Sequence, residues 1–226
     1  MANLLAIVGN SGSGKSTSLR TLDPKETFII NVASKPLPFK GWRTNYTVWN
    51  KDNQNGNFIN TSDVEVIGKI LVYINSKRPE IKNVIIEDAQ YIMGFEAMDR
   101  AKEKSFDKFT DIAQKFYTIL KTGVQMRDNL NVVALCHAEN SGTADDPKWK
   151  IKTVGKMIDN VITVEGLFTY VLFTQVSRDS DNKVTYSFIT HSDGSNTAKT
   201  PFGCFEEDLI PNDMQLVLNA IDEFNN

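Results

Sequence analysis

An α/β fold, with a mostly parallel sheet flanked by helices and a C-terminal antiparallel β-hairpin, is what this 226-residue sequence predicts. Three observations carry the prediction. The short apolar runs "LLAIV", "TFIINV", "NVIIED" and "NVVALCH" alternate with segments of helical periodicity, as strands buried on both faces and joined by crossover helices do. Near the C-terminus, two β-rich runs flank "SRDSDNK", so the chain there doubles back on itself. No internal repeat, low-complexity tract or linker divides residues 1–226, which are expected to form one domain.

Taken in order, residues 4–8 form the first strand, "KSTSLRTL" the helix after it, and residues 27–32 the second strand. Residues 33–60 hold a "PLP" turn and many Asn and Gly, so they form a long excursion with one short strand at "NYTVW". Apolar residues at three- and four-residue spacing predict an amphipathic helix over 63–77. The strand at 83–88 ends in two acids, 106–128 is the longest helix, and 131–137 is the next buried strand. The polar, breaker-rich stretch 138–153 reads as an exposed loop. The hairpin spans 168–191, a second loop 193–203, and a helix over 213–224 closes the chain.

Composition narrows the function. A net charge of −3 and a pI near 5.5 exclude a global basic field for nucleic acid, so any such surface must be local. Cys136 and Cys204 lie far apart with no CxxC spacing, which argues for a reducing compartment and against a disulfide or zinc framework. No basic n-region precedes an apolar core at the N-terminus, and no segment approaches the roughly 18 apolar residues of a membrane helix. A cytoplasmic protein is expected.

The stretch "IVGNSGSGKST" packs three glycines, four hydroxyl residues and a lysine against the end of the first strand. Gly9, Gly14, Lys15 and Ser16 fit GxxxxGK followed by Ser or Thr, which arises by chance at roughly one position in 20,000. Glycines let the backbone curl so that its N–H groups point inward at a phosphate. Lys15 would reach the β- and γ-phosphates, and the Ser16 hydroxyl would ligate Mg²⁺. The expected nucleotide-binding residues are Gly9, Asn10, Ser11, Gly12, Ser13, Gly14, Lys15, Ser16 and Thr17.

A phosphate loop needs a carboxylate to hold the magnesium, and Glu87 and Asp88 stand at the tip of an apolar strand. One acid would position Mg²⁺ through water and the other polarise the attacking water. The order, Glu before Asp, is the reverse of the usual one and leaves the division open, with Asp88 favoured for the metal. His137, at the tip of the next strand, can touch the γ-phosphate and report its loss to the loop that follows; Gln90 could do the same. The guanine-reading NKxD is not matched by "WNKDNQ" or "NKVT", which leaves ATP as the expected nucleotide.

The sequence of parts, together with "FIINVASKPLPFKGW", "IKTVGKMIDNVITVEG" and "DGSNTAKTPFG", resembles the compact, phage-encoded RecA-like P-loop ATPases found among replication and recombination genes. Some of that group act as single-strand annealing or recombinase-like proteins. The resemblance covers most of the chain and implies a RecA-like fold, ATP hydrolysis with Mg²⁺ and a place in the host cell's cytoplasm. It also implies that the loop after the His137 strand faces DNA. That loop carries Lys148, Lys150, Lys152 and Lys156 around Trp149, a composition that suits single-stranded DNA, lysines meeting phosphates and a ring stacking on a base.

RecA-like filaments complete each site with a cation from the neighbouring subunit, and Lys199 stands where the resemblance places it, with Arg178 as the runner-up. The chain departs from full-length recombinases in starting its first strand at Leu4, which leaves no room for their N-terminal linking segment. A homo-oligomer is therefore an expectation from the resemblance alone. Two other functions compete. A nucleotide or nucleoside kinase would want an arginine-rich lid, and this chain has few arginines. An ATP-gated adaptor, such as a helicase loader or a packaging partner, would bind ATP without turnover.

Overall fold

In a computed structural model, which describes the backbone of residues 1–226 and the side chains of all but Lys156 and Met157, the apolar runs become the centre of one sheet. Its strands are β1 (Asn3–Gly9), β2 (Thr27–Asn31), β3 (Phe58–Asn60), β4 (Asn83–Glu87), β5 (Asn131–Asn140), β6 (Trp149–Ile151), β7 (Tyr170–Arg178), β8 (Val184–Ile189) and β9 (Leu209–Pro211). Their order across the sheet is β3-β2-β4-β5-β1-β7-β8-β9, with β6 paired to the far end of β5. Neighbours from β3 through β7 run parallel, while β7–β8, β8–β9 and β5–β6 are antiparallel. The architecture is α/β and mostly parallel, with the predicted C-terminal hairpin extending it.

The alternation of side chains along each strand explains why these runs are apolar at every position. In β1, Leu4, Ala6 and Val8 join the core on one face, and Leu5 and Ile7 join the core on the other. The first core is covered by α2 (Val64–Lys77), α3 (Tyr91–Asp99), α4 (Asp107–Val124) and α5 (Lys156–Val161). The second is covered by α6 (Met214–Asn225) and a short turn at the start of the chain. Asp63 starts α2 by accepting the N–H groups of Glu65 and Val66 at 2.8 and 3.1 Å. Asp213 starts α6 by accepting that of Leu216 at 3.1 Å.

Three local expectations are corrected. The segment after the glycine-rich loop is a six-residue 3₁₀ helix, Ser16–Thr21, in place of an α-helix. Hydroxyls of Ser18 and Thr21 bond carbonyls three residues back, at 2.6 and 3.1 Å, and Pro24 forbids a longer run. In the excursion, the strand is Phe58–Asn60 rather than "NYTVW", of which Val48 makes a single bridge to Phe58. Asn45 instead ends the one-turn helix α1 (Trp42–Asn45).

Helix α3 and strand β9 were not anticipated, being short and weakly patterned. The stretch 138–153 is no open loop: β5 continues to Asn140, and Trp149–Ile151 pairs back on Ala138–Asn140. Once Ala138 packs on the core, the polar residues around it can ride on a paired edge.

Candidate functional site

The carboxyl ends of parallel strands β1, β2, β4 and β5 lie along one rim of the sheet. Ligands of open α/β sheets bind beyond that rim. In register, Gly9 is level with His137, so the glycine-rich loop and the histidine strand end side by side. Beyond the loop is a cavity of about 300 Å³ lined by residues 11–17, Lys35, Pro38, Asp88, His137 and Tyr186.

Two glycines are required for the loop's path. A Cβ on Gly9 would lie 1.7 Å from Oγ1 of Thr174. Gly14 has a φ of 95°, and a Cβ there would meet Tyr186 and Asn212 at 3.0 and 3.1 Å. Ser13 braces the turn, its hydroxyl donating to the Asn10 carbonyl at 2.7 Å and accepting from Thr174 at 2.6 Å. Lys15 folds inward, only 5% exposed, and its ammonium donates to the carbonyls of Gly9 and Asn10, both at 2.8 Å. Burial pulls its pKa down, with Asp88 pulling the other way.

The two acids are in different company. The Ser16 hydroxyl donates to Oε1 of Glu87, so the loop's serine is joined to Glu87 and not to Asp88. Oε2 of Glu87 is buried with no hydrogen-bond partner among the described residues. Burial first, and the adjacent Asp88 second, push the Glu87 carboxyl well above the ordinary range. Serine hydroxyl and an unpartnered carboxylate oxygen form a hard donor set that fits Mg²⁺, which commonly takes one or two protein oxygens plus phosphates.

Asp88 has a φ of 57°, left-handed for a non-glycine residue. This sharp turn at the end of β4 carries the chain to Ala89, whose N–H bonds the Leu135 carbonyl at 2.9 Å. The Asp88 carboxyl lines the cavity, with Oδ2 2.5 Å from the Lys35 ammonium and Oδ1 3.5 Å from Nε2 of His137. Burial alone would raise its pKa, but the His137 and Lys35 contacts outweigh burial and hold it below the ordinary range. His137 is fixed in turn, its backbone N–H donating to the Gln90 side-chain oxygen at 3.2 Å and its ring edge-on to Tyr91.

Lys35 escaped the sequence reading. The signal that could have found it is its place just past β2, at the same rim as both acids.

The residues expected to meet DNA lie apart from this cavity. Trp149 is half-buried against the core, and its strand is tied to the next loop by bonds to Ser195 and Thr197. Lys148 is held by Asp146 at 3.1 Å and by the Gly194 carbonyl at 2.8 Å. Lys150 sits between Glu139 at 3.2 Å and Asp159 at 2.5 Å. Lys152 is exposed, its ammonium without a partner among the described residues, and its N–H donates to the His137 carbonyl at 2.8 Å. The side chain of Lys156 lies outside the described residues.

Lys199 and Arg178 do not line the cavity of their own chain. Lys199 is exposed and pairs its backbone with Val171, while Arg178 is exposed and donates to the Asn182 carbonyl across its hairpin at 3.3 Å. No described helix is long and apolar enough to cross a membrane. No protein-family model matches the sequence, and no curated protein matches it significantly.

Proposed function

We propose that this chain is a Mg²⁺-dependent P-loop ATPase with a RecA-like core. The observation that carries the reading is the convergence of Lys15 and Ser16 at a glycine-shaped cavity on the carboxyl rim of parallel strands, with the buried Glu87 joined to it through the Ser16 hydroxyl. Strand order supports the RecA-like part. The acid-tipped β4 is separated from β1 by β5, whose His137 ends level with Gly9.

In this reading, Lys15 turns from the loop carbonyls to the β- and γ-phosphates. Ser16 and, through water, Glu87 would hold Mg²⁺, which when bound neutralises charge on those phosphates. Asp88, turned into the cavity by its left-handed backbone, orients the attacking water. His137 lies beside Asp88 and carries the state of the site to β6 through the backbone bond from Lys152. No arginine lines the cavity among the described residues, which speaks against a kinase lid.

Service in phage DNA recombination or replication, with single-stranded DNA as partner, rests on the resemblance and on Lys152, an exposed cation beside the β5–β6 hairpin with no partner among the described residues. A trans-acting Lys199 or Arg178 would need a second copy of the chain. The adaptor reading gains from one observation: Lys148 and Lys150 are already neutralised by carboxylates of their own chain.

An ATPase assay with and without single-stranded DNA tests these readings together. Free phosphate released by wild type and abolished in Lys15→Ala supports the ATPase, and label transferred to a nucleoside monophosphate replaces it with a kinase. Tight ATP binding without turnover, DNA present or absent, replaces it with the adaptor.

A further inference from the structure

Lys35 belongs to none of the motifs, yet its ammonium lies 2.5 Å from Oδ2 of Asp88 inside the phosphate cavity. The backbone aims it there. Ser34 has a left-handed φ of 55°, Pro36 fixes the chain after it, and the Lys35 carbonyl accepts the Asn31 amide at 2.7 Å. Asn31 is itself held by Asn60 at 2.8 Å, so the turn is anchored to two adjacent strands. The side chain beyond that anchor is 58% exposed. Its four-carbon stem can therefore swing without disturbing the core.

The charges in the cavity require such a group. A triphosphate entering beside Asp88 brings anion against anion. Lys15 supplies one positive charge, and no arginine lines the cavity among the described residues. Lys35 is the second ammonium at the site, and the terminal phosphate competes with Asp88 for it.

We propose that Lys35 is the catalytic cation of this site, supplied in cis. On entry of a nucleoside triphosphate its ammonium moves from Asp88 onto the terminal phosphate, so that hydrolysis needs no cation from a second copy. The proposal rests on the ATPase reading of the same cavity. In the step it assists, the water oxygen bonds to the γ-phosphorus. The bond from that phosphorus to the β,γ-bridging oxygen breaks, leaving its electron pair on ADP. The water's proton passes by way of Asp88 to solvent. Lys35 offsets the charge spread over the peripheral oxygens in the transition state.

The experiment compares wild type, Lys35→Ala, Lys35→Arg, Lys199→Ala and Arg178→Ala. It measures ATP turnover over a range of protein concentrations, and calorimetric affinity for ADP and for the non-hydrolysable β,γ-imido analogue of ATP. Lys35→Ala should lower kcat about a hundredfold or more. It should keep wild-type ADP affinity, which also reports an intact fold, and lose the preference for triphosphate over diphosphate. Lys35→Arg should recover part of both. Turnover per molecule of wild type should not fall on dilution, and Lys199→Ala and Arg178→Ala should turn over normally.

A Lys35→Ala protein with wild-type kcat and triphosphate preference overturns the proposal. So does turnover that falls on dilution and is lost in Lys199→Ala or Arg178→Ala. If wild type binds ATP without hydrolysing it, the ATPase reading fails and the binding arm still decides. A preference kept by Lys35→Ala overturns the Lys35 contact with the terminal phosphate, and a preference lost supports it.

Discussion

The hydroxyl of Ser16 donates to the carboxylate of Glu87, joining the first turn after the glycine-rich loop to the tip of β4 across the sheet rim. Asp88, one residue on, faces Lys35 and His137 instead. Adjacent acids thus have separate surroundings, and the two roles expected of them separate accordingly. Glu87→Gln should weaken Mg²⁺-dependent ATP binding, with ADP binding in the absence of metal little changed. Asp88→Asn should bind Mg²⁺ and ATP but turn over roughly a hundredfold more slowly or worse. Titration of nucleotide with and without Mg²⁺, beside single-turnover kinetics, checks both. The reverse pattern would return the metal to Asp88.

Glu87 also carries a pH signature in the metal-free protein. Its folded carboxyl binds a proton more tightly than the unfolded one, because burial and Asp88 disfavour its charge. The stability this group contributes is therefore present below the ordinary glutamate pKa and lost as pH rises through the raised folded value. Glu87→Gln keeps an acceptor for Ser16 and carries no charge. In EDTA it should match wild type near pH 4 and exceed it by about 1–3 kcal/mol at pH 8. Urea unfolding at the two pH values gives the comparison, and a mutant less stable at pH 8 than at pH 4, relative to wild type, contradicts it.

Gly9 and Gly12 should fail for different reasons. A Cβ at Gly9 collides with the Thr174 side chain, whereas Gly12 has a φ of 76° and open space around it. Gly9→Ala should cost about 1–3 kcal/mol through overpacking, and Gly12→Ala about 1–2 kcal/mol through its left-handed backbone. Thr174→Ala should recover part of the first loss and none of the second. Double-mutant cycles read this directly, and equal rescue of both would refute the collision.

The hairpin lysines should also divide. If single-stranded DNA binds, Lys152→Ala should flatten the salt dependence by about 0.7 units of slope. Lys148→Ala and Lys150→Ala, whose cations already serve Asp146, Glu139 and Asp159, should change it less. Trp149→Ala should act mainly on folding, at about 2 kcal/mol or more, because the ring packs on the core. Salt titrations of binding, read beside thermal melts, separate the two effects. An unchanged melting temperature in Trp149→Ala with lost affinity would restore the ring to DNA stacking.

The sequence by itself determined what short-range chemistry can write. Runs with no polar interruption could only become doubly covered strands, so β1, β2, β4 and β5 were legible to within a few residues. The glycine spacing around Lys15 called for a tightly curled backbone, and Gly12 and Gly14 take the positive φ that only such residues adopt freely. What tertiary structure alone decided is which distant groups share the rim. Glu87 lies 71 residues from Ser16, and no local pattern says whether it or Asp88 turns toward the serine. The left-handed step at Asp88 settles that orientation. Lys35 enters the site because β2 lies directly beside β4, a pairing set by the packing of whole faces. Trp149 and its lysines read as a free loop because pairing with β5 depends on register, which polar residues specify weakly. Their cations met carboxylates that only the folded chain brings within reach.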